Sequence, residues 1–291
     1  MKAPAFAYAR ATSVDDALEL LSVHGENARL LSGGQSLLPA MNLRLICPDI
    51  VIDIGDVAEL RGITARNGVL SIGAMTRHVE LLESPQIAAF APLLIEAVRH
   101  VAHPAIRNRG TIGGSLAHAD PAAELPACMV ALGATIVIRS QGKKRRIAAV
   151  DFFQGIFATA LSAEELLVSV ELPVAQSPSA HFFQEFARRH GDYAIAGVAA
   201  HTTKNGEMLS DLRMAFFAVA DRPVLAKASD RLVDVTITPE LISAAAEAFG
   251  DEVEPAEDQQ GSAELRRHLA KVLFRRCMEG LVAFGSVPAI Q

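Results

Sequence analysis

The first half of the chain alternates between helical and strand-like spacing of its hydrophobic residues. Ser13 precedes apolar residues that recur three and four positions apart, which predicts a helix with Ser13 as its N-cap. Leu94 and Ala97 share one face of a second predicted helix at residues 91–101, which stops before Pro104. Short apolar runs predict strands at residues 28–31, 50–54 and 68–76, and a two-stranded hairpin with a Gly-Lys turn at residues 134–150. This irregular alternation, with no fixed repeat, indicates an α+β fold.

The hydrophobic pattern is interrupted at residues 172–180, LPVAQSPSA, by two prolines and two serines. We therefore predict two domains, residues 1–175 and residues 176–291. Beyond the interruption, strands are predicted at residues 182–188 and 212–220, and a helical tail begins at Pro239. One face of that tail is expected to be buried, with the residues Leu265, Leu269, Val272, Leu273, Cys277 and Leu281.

Two pairs of adjacent glycines stand among polar residues, in SGGQS (residues 32–36) and TIGGS (residues 111–115). Glycine suits positions with positive φ or with a close approach to the backbone, and free N–H groups at such turns bind anions. Two facing turns would hold the pyrophosphate of a dinucleotide, with Asp120 or Glu124 accepting hydrogen bonds from ribose or ribityl hydroxyls. Neither segment reads as a Rossmann or P-loop motif. An ordinary structural turn remains the alternative for each pair.

Composition excludes several classes of function. The 291 residues are 51% hydrophobic and carry a net charge of -6, which favours packed domains and gives no basic surplus for binding nucleic acid. Cys47, Cys128 and Cys277 are odd in number and lack CxxC spacing, so we expect neither disulfides nor a metal or iron–sulfur site, and a reducing cytosol. No signal-like or membrane-spanning apolar segment is apparent, so we expect a soluble chain.

Three long segments carry a resemblance to a known family: SGGQSLLPAMNLRL (32–45), HPAIRNRGTIGGSLAHADPAAELPA (103–127) and RRHGDYAIAGVAA (188–200). The chain resembles, over nearly its whole length, the FAD-binding medium subunit of the molybdenum hydroxylases, the carbon monoxide dehydrogenase and xanthine dehydrogenase family. The resemblance implies a two-lobed FAD-binding domain of the vanillyl-alcohol oxidase (PCMH) type, with lobes at roughly 1–56 and 57–175. A small C-terminal domain of antiparallel sheet plus helices would follow.

The resemblance also implies an FAD site. The two glycine segments would wrap the pyrophosphate through backbone N–H groups and hydroxyls, Asp120 would contact the sugar-like chain, Leu161 would lie near the ring, and Tyr193 would approach the isoalloxazine. Many relatives have AGGHS and GGN where this chain has SGGQS and GGS, so we expect altered contacts and a retained site. The complete set of expected cofactor-binding residues is Ser32, Gly33, Gly34, Gln35, Ser36, Leu37, Thr111, Ile112, Gly113, Gly114, Ser115, Asp120, Glu124, Leu161 and Tyr193.

The implied function is electron transfer. FAD, held noncovalently, would pass electrons from two [2Fe–2S] clusters on a small partner subunit to an external acceptor, while a molybdenum cofactor sits on a large partner subunit. The family's usual assembly is a dimer of heterotrimers in the cytoplasm, and any membrane association would come through the complex. The chain itself is expected to hold no catalytic residue and no metal. The alternatives are a self-sufficient FAD-dependent oxidase or reductase of the same superfamily and a flavin-less scaffold protein.

Other candidate residues have a structural explanation beside the functional one. His118 near Asp120 resembles an acid–base pair, but we favour a structural or flavin-adjacent role. Arg107 and Arg109 would either counter the pyrophosphate charge or serve as ordinary loop arginines. The basic run GKKRR at residues 142–146 is more typical of a solvated hairpin tip than of a docking site.

Overall fold

The first lobe is a small parallel sheet with two helices. The structure, a computed structural model, describes residues 2–174, 179–205 and 208–283. Strands β1 (Ala7–Arg10), β2 (Ala28–Leu31) and β3 (Ile50–Asp53) pair in the order β1-β3-β2, and helices α1 (Val14–His24) and α2 (Leu37–Asn42) follow β1 and β2. The Ser13 hydroxyl accepts the Asp16 N–H at 3.0 Å, so the predicted N-cap of α1 is confirmed.

The second lobe is a five-stranded antiparallel sheet covered by short helices. Its strands β4 (Ile63–Arg66), β5 (Val69–Gly73), β6 (Thr135–Ser140), β7 (Lys143–Ala148) and β10 (Leu166–Pro173) lie in the order β4-β5-β10-β6-β7. A two-stranded hairpin of β8 (Phe153–Gly155) and β9 (Ala158–Thr159) precedes β10. The helices are α3 (His78–Glu83), α4 (Pro85–Phe90), α5 (Pro92–His100), α6 (Pro104–Arg107), α7 (Ile112–His118), α8 (Glu124–Ala131) and α9 (Ala149–Phe152). Proline opens α4, α5 and α6, because its fixed φ suits the first helical position and its missing N–H costs nothing there.

The C-terminal domain is an antiparallel sheet of β11 (Ser179–Ala187), β12 (Ala194–Asn205), β13 (Met208–Phe217) and β14 (Val224–Leu225), followed by α10 (Pro239–Gly250) and α11 (Ala263–Ala283). Phe216, Phe249 and Phe274 are fully buried between this sheet and the two helices. The opposite face of the sheet packs on α5 and α8 of the second lobe. The sheet therefore lies between helices of both domains, which gives the two domains a shared apolar boundary.

Most of the predicted elements are present, and the α+β class is confirmed. The strand at residues 28–31, the helix at residues 91–101 and the hairpin at residues 134–150 are observed as β2, α5 and the β6–β7 pair. The helical tail differs: it divides into α10 and α11, separated by residues 251–262. Within the predicted buried stripe Leu265 is exposed, while Phe274 and Met278 are buried in its place. The boundary predicted between residues 175 and 176 lies outside the described residues.

Candidate functional site

The two glycine segments lie against each other. The first glycine loop, residues 32–36, joins β2 to α2, and the second glycine loop, residues 111–115, comprises the N-cap and the first turn of α7. The hydroxyls of Ser32 and Thr111, 79 positions apart in sequence, are hydrogen-bonded at 2.5 Å. The structure therefore brings together the two sets of residues that the sequence predicts to share one ligand.

Two of the glycines are required by contacts within the protein itself. A Cβ atom at Gly33 would collide with the carbonyl oxygen of Arg109, and one at Gly113 would lie 2.6 Å from the Cβ of Ala74. Gly34 has a φ of 73°, which an L side chain adopts only at a cost. At Gly33 and Gly113 the space that a side chain would need is occupied by other residues of the protein. The lack of side chains at these positions therefore allows the close packing around the two loops.

Gly114 has different surroundings. A Cβ atom there would lie 2.9 Å from the Thr111 hydroxyl oxygen and 3.3 Å from the Ser32 hydroxyl oxygen. Gly114 places no side chain over this hydroxyl pair, although Thr111 itself is only 3% exposed. The Ser32–Thr111 hydrogen bond uses one of the two hydroxyl hydrogens, so one remains to donate to a phosphate oxygen.

The two loops differ in their backbone donors. The N–H groups of Gly33, Gly34, Gln35 and Ser36 have no acceptor within the described part of the chain. In the second loop four N–H groups are already bonded: Ile112 to the Thr76 carbonyl, Gly113 to the Ala74 carbonyl, Gly114 to the Thr111 hydroxyl and Ser115 to the Thr111 carbonyl. The run of free N–H groups that the sequence predicts for both loops is therefore found in the first loop, and the second loop provides the hydroxyls of Thr111 and Ser115.

The Gln35 side chain turns back onto its own loop. Its amide nitrogen donates to the Gly33 carbonyl at 2.9 Å. Ser36 precedes α2 without capping it through its side chain, and Leu37 is the first residue of that helix. The Gln35 amide thus stabilises the shape of the first loop, while the Ser36 hydroxyl stays exposed beside the free N–H groups.

Helix α7 connects the glycine loops to a second group of candidate residues. Its seven residues span about 10 Å at the usual helical rise. At its C-terminal end the ring of His118 lies 4.8 Å from the ring of Phe157, and the Phe157 N–H donates to the Ala119 carbonyl at 3.2 Å. Burial lowers the pKa of His118, and the nearby Asp120 opposes this shift. A ligand with an anionic and an aromatic end could therefore extend along this helix.

The predicted acidic residues adjoin this end of α7. Asp120 accepts the Ala122 N–H at 2.9 Å, so its carboxylate shapes the turn that leads into α8. Glu124 is the first residue of α8, and burial of its carboxyl raises its pKa to about 8, with further contributions from the charges of Glu185 and Asp120. Its carboxyl is thus mainly protonated at neutral pH, and it can donate a hydrogen bond as well as accept one.

Tyr193 and Leu161 complete the set of predicted residues. Tyr193 is 65% exposed, yet its hydroxyl is sufficiently desolvated to raise its pKa, and the charges of Asp120 and Glu124 add to this effect. This places Tyr193 near both acidic residues, although it belongs to the C-terminal half of the chain. Leu161 follows the β8–β9 hairpin, with its N–H bonded to the Thr159 hydroxyl at 3.3 Å, and it packs partly buried against the main core.

Family comparison agrees with this geometry. Residues 4–175 match the family described as FAD binding domain in molybdopterin dehydrogenase, and residues 181–281 match the family described as CO dehydrogenase flavoprotein C-terminal domain. The chain belongs to the FAD-binding medium subunits of the molybdenum hydroxylases. The resemblance inferred from the glycine segments is thereby confirmed.

Relatives of this medium subunit match it over almost their whole length. It is 40% identical to the nicotine 6-hydroxylase medium subunit of Paenarthrobacter nicotinovorans over 277 residues, which cover 95% of this chain and 97% of that protein. It is 37% identical to the carbon monoxide dehydrogenase medium chain of Hydrogenophaga pseudoflava over 276 residues, which cover 94% and 96% of the two chains.

Solved structures give the same result for the fold. The carbon monoxide dehydrogenase from Hydrogenophaga pseudoflava that lacks the Mo-pyranopterin moiety superposes with a TM-score of 0.95 at 38% identity, covering 97% of this chain and 99% of that chain. Quinoline 2-oxidoreductase from Pseudomonas putida 86 superposes with a TM-score of 0.92 at 40% identity, covering 99% and 100%. The medium subunit therefore has the same fold as the matched chains of carbon monoxide dehydrogenase and quinoline 2-oxidoreductase.

Several residues near the site carried no clear signal in the sequence. His78 is buried behind the second glycine loop, where its backbone N–H bonds the Gly110 carbonyl at 2.9 Å. Burial lowers its pKa to about 4, and neither ring nitrogen has a hydrogen-bond partner within the described residues. Phe157 lies at the exposed tip of the β8–β9 hairpin with a φ of 53°. An apolar Ile-Phe pair at a hairpin tip, where polar residues are usual, is the signal that would have identified it.

Of the remaining candidates, Arg107 has a structural role and Arg109 is exposed. Arg107 donates to the carbonyls of Val101 and Ala102 at 2.9 and 3.1 Å, so it fixes the turn before α6, while the Arg109 side chain is exposed. In the described ranges, no three His, Cys, Asp or Glu side chains are grouped so that they could hold a metal ion. Across the same residues, no helix is long and apolar enough to cross a bilayer.

Proposed function

We propose that this medium subunit binds one FAD noncovalently between its glycine loops and the far end of α7. The observation that carries this proposal is the run of unbonded N–H groups in the first loop, next to the Ser32–Thr111 hydroxyl pair, over which Gly114 places no side chain. Such donors suit a pyrophosphate. In this arrangement the first loop contributes N–H groups and the Ser32 hydroxyl, and the second loop contributes the hydroxyls of Thr111 and Ser115.

The flavin half of FAD would occupy the other end of α7. Asp120 and the protonated Glu124 provide an acceptor and a donor for ribityl hydroxyls, and Tyr193 and Leu161 flank the space for the ring. When bound, FAD supplies a carrier that accepts electrons singly or in pairs. The residues of this chain bind and orient that carrier, and none of them is assigned a proton-transfer step with substrate.

We further propose that electrons reach this site from two [2Fe–2S] clusters on a small partner subunit and that a large partner subunit holds the molybdenum cofactor. The relatives named above support this, since they are the medium subunit or medium chain of enzymes whose named substrates, nicotine and carbon monoxide, differ widely in chemistry, although both relatives are 37–40% identical to this chain. Substrate choice therefore belongs to another subunit. The assembly we propose is a dimer of heterotrimers in the cytoplasm, and the free thiols of Cys47, Cys128 and Cys277 suit a reducing compartment.

The visible absorption spectrum of the purified chain tests the FAD proposal, followed by heat release and chromatographic identification of the chromophore. We expect flavin bands and close to one FAD per chain. Gly114→Ala should lower the FAD content strongly, because the added methyl group would cover the Ser32–Thr111 hydroxyls. Lys143→Ala, on the exposed β7 hairpin, is the control and should retain full FAD. A colourless wild-type chain that also takes up no added FAD would refute the proposal.

A further inference from the structure

The C-terminal domain contributes a buried guanidinium group close to the proposed FAD site. Arg266, on α11, is 5% exposed, and a charge buried to this degree is costly unless it is fully paired. One of its terminal nitrogens donates to the carbonyls of Ile195 at 3.0 Å and Ala218 at 2.7 Å. The other donates to the Asp258 carboxylate at 2.6 Å. The Arg266 side chain thus joins the start of β12 to the end of the neighbouring strand β13.

Each of the two carbonyl acceptors belongs to a residue that is connected to a predicted FAD-binding residue. Ile195 lies in β12, two positions after Tyr193. Ala218 follows β13, and its N–H donates to the carbonyl of Pro121 at 2.8 Å, which is the residue after Asp120. Arg266 is therefore connected to Tyr193 along one strand, and to Asp120 through one inter-domain backbone hydrogen bond.

We propose that Arg266 is a positioning residue, through which the C-terminal domain sets the separation of Asp120 and Tyr193 on the ring side of the FAD site. This inference rests on the proposed FAD-binding function. A guanidinium suits the task, because its planar, rigid set of donors fixes two carbonyls and a carboxylate at once. Without it, the carbonyls of Ile195 and Ala218 lose this charged donor, and the start of β12 is no longer tied to the end of β13.

The neighbouring Arg267 provides a matched control. Its side chain also donates to backbone carbonyls, those of Gly250 and Val253, at 3.2 and 3.5 Å. Both acceptors lie at the end of α10 and just beyond it, away from Asp120 and Tyr193. Replacing either arginine removes hydrogen bonds from an α11 side chain to backbone carbonyls. Only the acceptors of Arg266 are connected to the proposed site.

The experiment compares FAD with ADP as ligands of the apo-form of the full chain. ADP carries the adenosine and pyrophosphate part of FAD and lacks the flavin, so it probes the glycine loops alone. We expect Arg266→Met to raise the Kd for FAD about tenfold or more, since hydrogen bonds of a charged donor are lost beside the site, and to leave the Kd for ADP within about twofold. We also expect a shift in the visible spectrum of the bound flavin. Both substitutions should lower the melting temperature, but Arg267→Met should change neither Kd.

Two further variants keep the test decisive if Arg266→Met does not fold. Arg266→Lys retains the charge without the fork of donors, and Asp258→Asn weakens the partner of Arg266 at an exposed position. Both should raise the Kd for FAD relative to that for ADP by a smaller factor. If every folded Arg266 and Asp258 variant keeps the wild-type ratio of the two Kd values and the wild-type spectrum, Arg266 is only structural and the inference is wrong. Failure of the wild-type chain to bind FAD would instead overturn the proposed function.

Discussion

His78 is an uncharged, buried residue directly behind the second glycine loop, and its environment predicts sensitivity to acid. Its pKa is lowered to about 4 mainly by burial, with a smaller contribution from Arg107, while the backbone of Thr111 opposes the shift. Between pH 6.5 and pH 4 the unfolded chain thus binds a proton that the folded chain does not, and this group's contribution to stability falls as the pH falls. The loss amounts to about 2 kcal/mol between pH 7 and pH 5.

The test compares the wild type with His78→Leu, which is apolar and of similar size, by urea unfolding at both pH values. The difference in unfolding free energy between the two proteins should shift by about 2 kcal/mol in favour of the variant on going from pH 7 to pH 5. His268 lies at an exposed position of α11, and His268→Gln controls for general acid effects. An unchanged difference for His78→Leu would show that this imidazole does not titrate as described.

Glu124 predicts the opposite dependence on pH. Its folded pKa of about 8 lies above the value of the unfolded chain, so the folded apo-protein holds a proton that the unfolded chain releases above about pH 4.5. Stability due to this group is therefore lost as the pH rises from 4.5 to 8. Glu124→Gln, which mimics the protonated form, should gain about 3 kcal/mol relative to the wild type between pH 5 and pH 8 in urea unfolding. A constant difference would mean that Glu124 is ionised in the folded chain at pH 7.

At the residue scale the sequence identifies small and polar residues better than buried ones. Gly114 and Thr111 stand out because adjacent glycines among hydroxyl residues are uncommon in a packed domain. His78 and Arg266 do not stand out, since their importance arises from burial, which depends on segments distant in sequence. Glu124 was expected as an acceptor, and its raised pKa follows mainly from burial, with smaller contributions from the charges of Glu185 and Asp120.

The contact between the two glycine loops is a property of elements, and Gly33 is the residue that permits it. A Cβ atom there would meet the backbone of Arg109 and Gly110, which cannot move aside as a flexible side chain can. Gly33→Ala should therefore separate the loops, break the Ser32–Thr111 hydrogen bond and cost about 2 kcal/mol of stability.

Ligand binding and melting temperature together distinguish Gly33→Ala from Gly114→Ala. The Gly33 variant should lose affinity for both FAD and ADP and melt earlier. The Gly114 variant should lose the same affinities with a smaller fall in melting temperature, because its Cβ would meet the Thr111 hydroxyl at 2.9 Å and no backbone atom. Wild-type melting and binding in Gly33→Ala would contradict the close packing of the loops.

Local pattern explains some elements, and tertiary contacts explain the others. The helix α1 and the β6–β7 hairpin have their own caps, periodicity and turn residues, so the sequence predicts them. Helix α7 contains Gly113 and Gly114, which disfavour helix, and it forms because Thr111 caps it and neighbouring carbonyls accept its first N–H groups. The break between α10 and α11 was missed, although Pro255 and Gly261 lie within it.

At the scale of the whole molecule, the C-terminal sheet is held between its own helices and those of the FAD-binding lobe. This arrangement explains why a residue of α11 can influence a site whose glycine loops lie in the first and second lobes. The fold and the FAD-binding family could be inferred from sequence because long glycine-containing segments resemble a known family, and the individual FAD-binding residues stay a prediction. The inter-domain contacts could not, because they join residues such as Pro121 and Ala218 that carry no distinctive chemistry.

The last prediction follows from the proposed assembly and concerns the native complex. When the complex is purified through a tag on this chain from cells that also produce its partners, we expect two copies each of three chains, with molybdenum, iron and FAD. The same preparation from Gly114→Ala should retain molybdenum and iron but lack FAD, because this substitution affects only the glycine loops and not the partners' cofactors. Substrate-reduced iron–sulfur clusters would then persist, since their electrons have no FAD to reach. If the chain instead purifies alone with FAD and oxidises a substrate without partners, it is a self-sufficient flavoenzyme and the assembly proposed here is wrong.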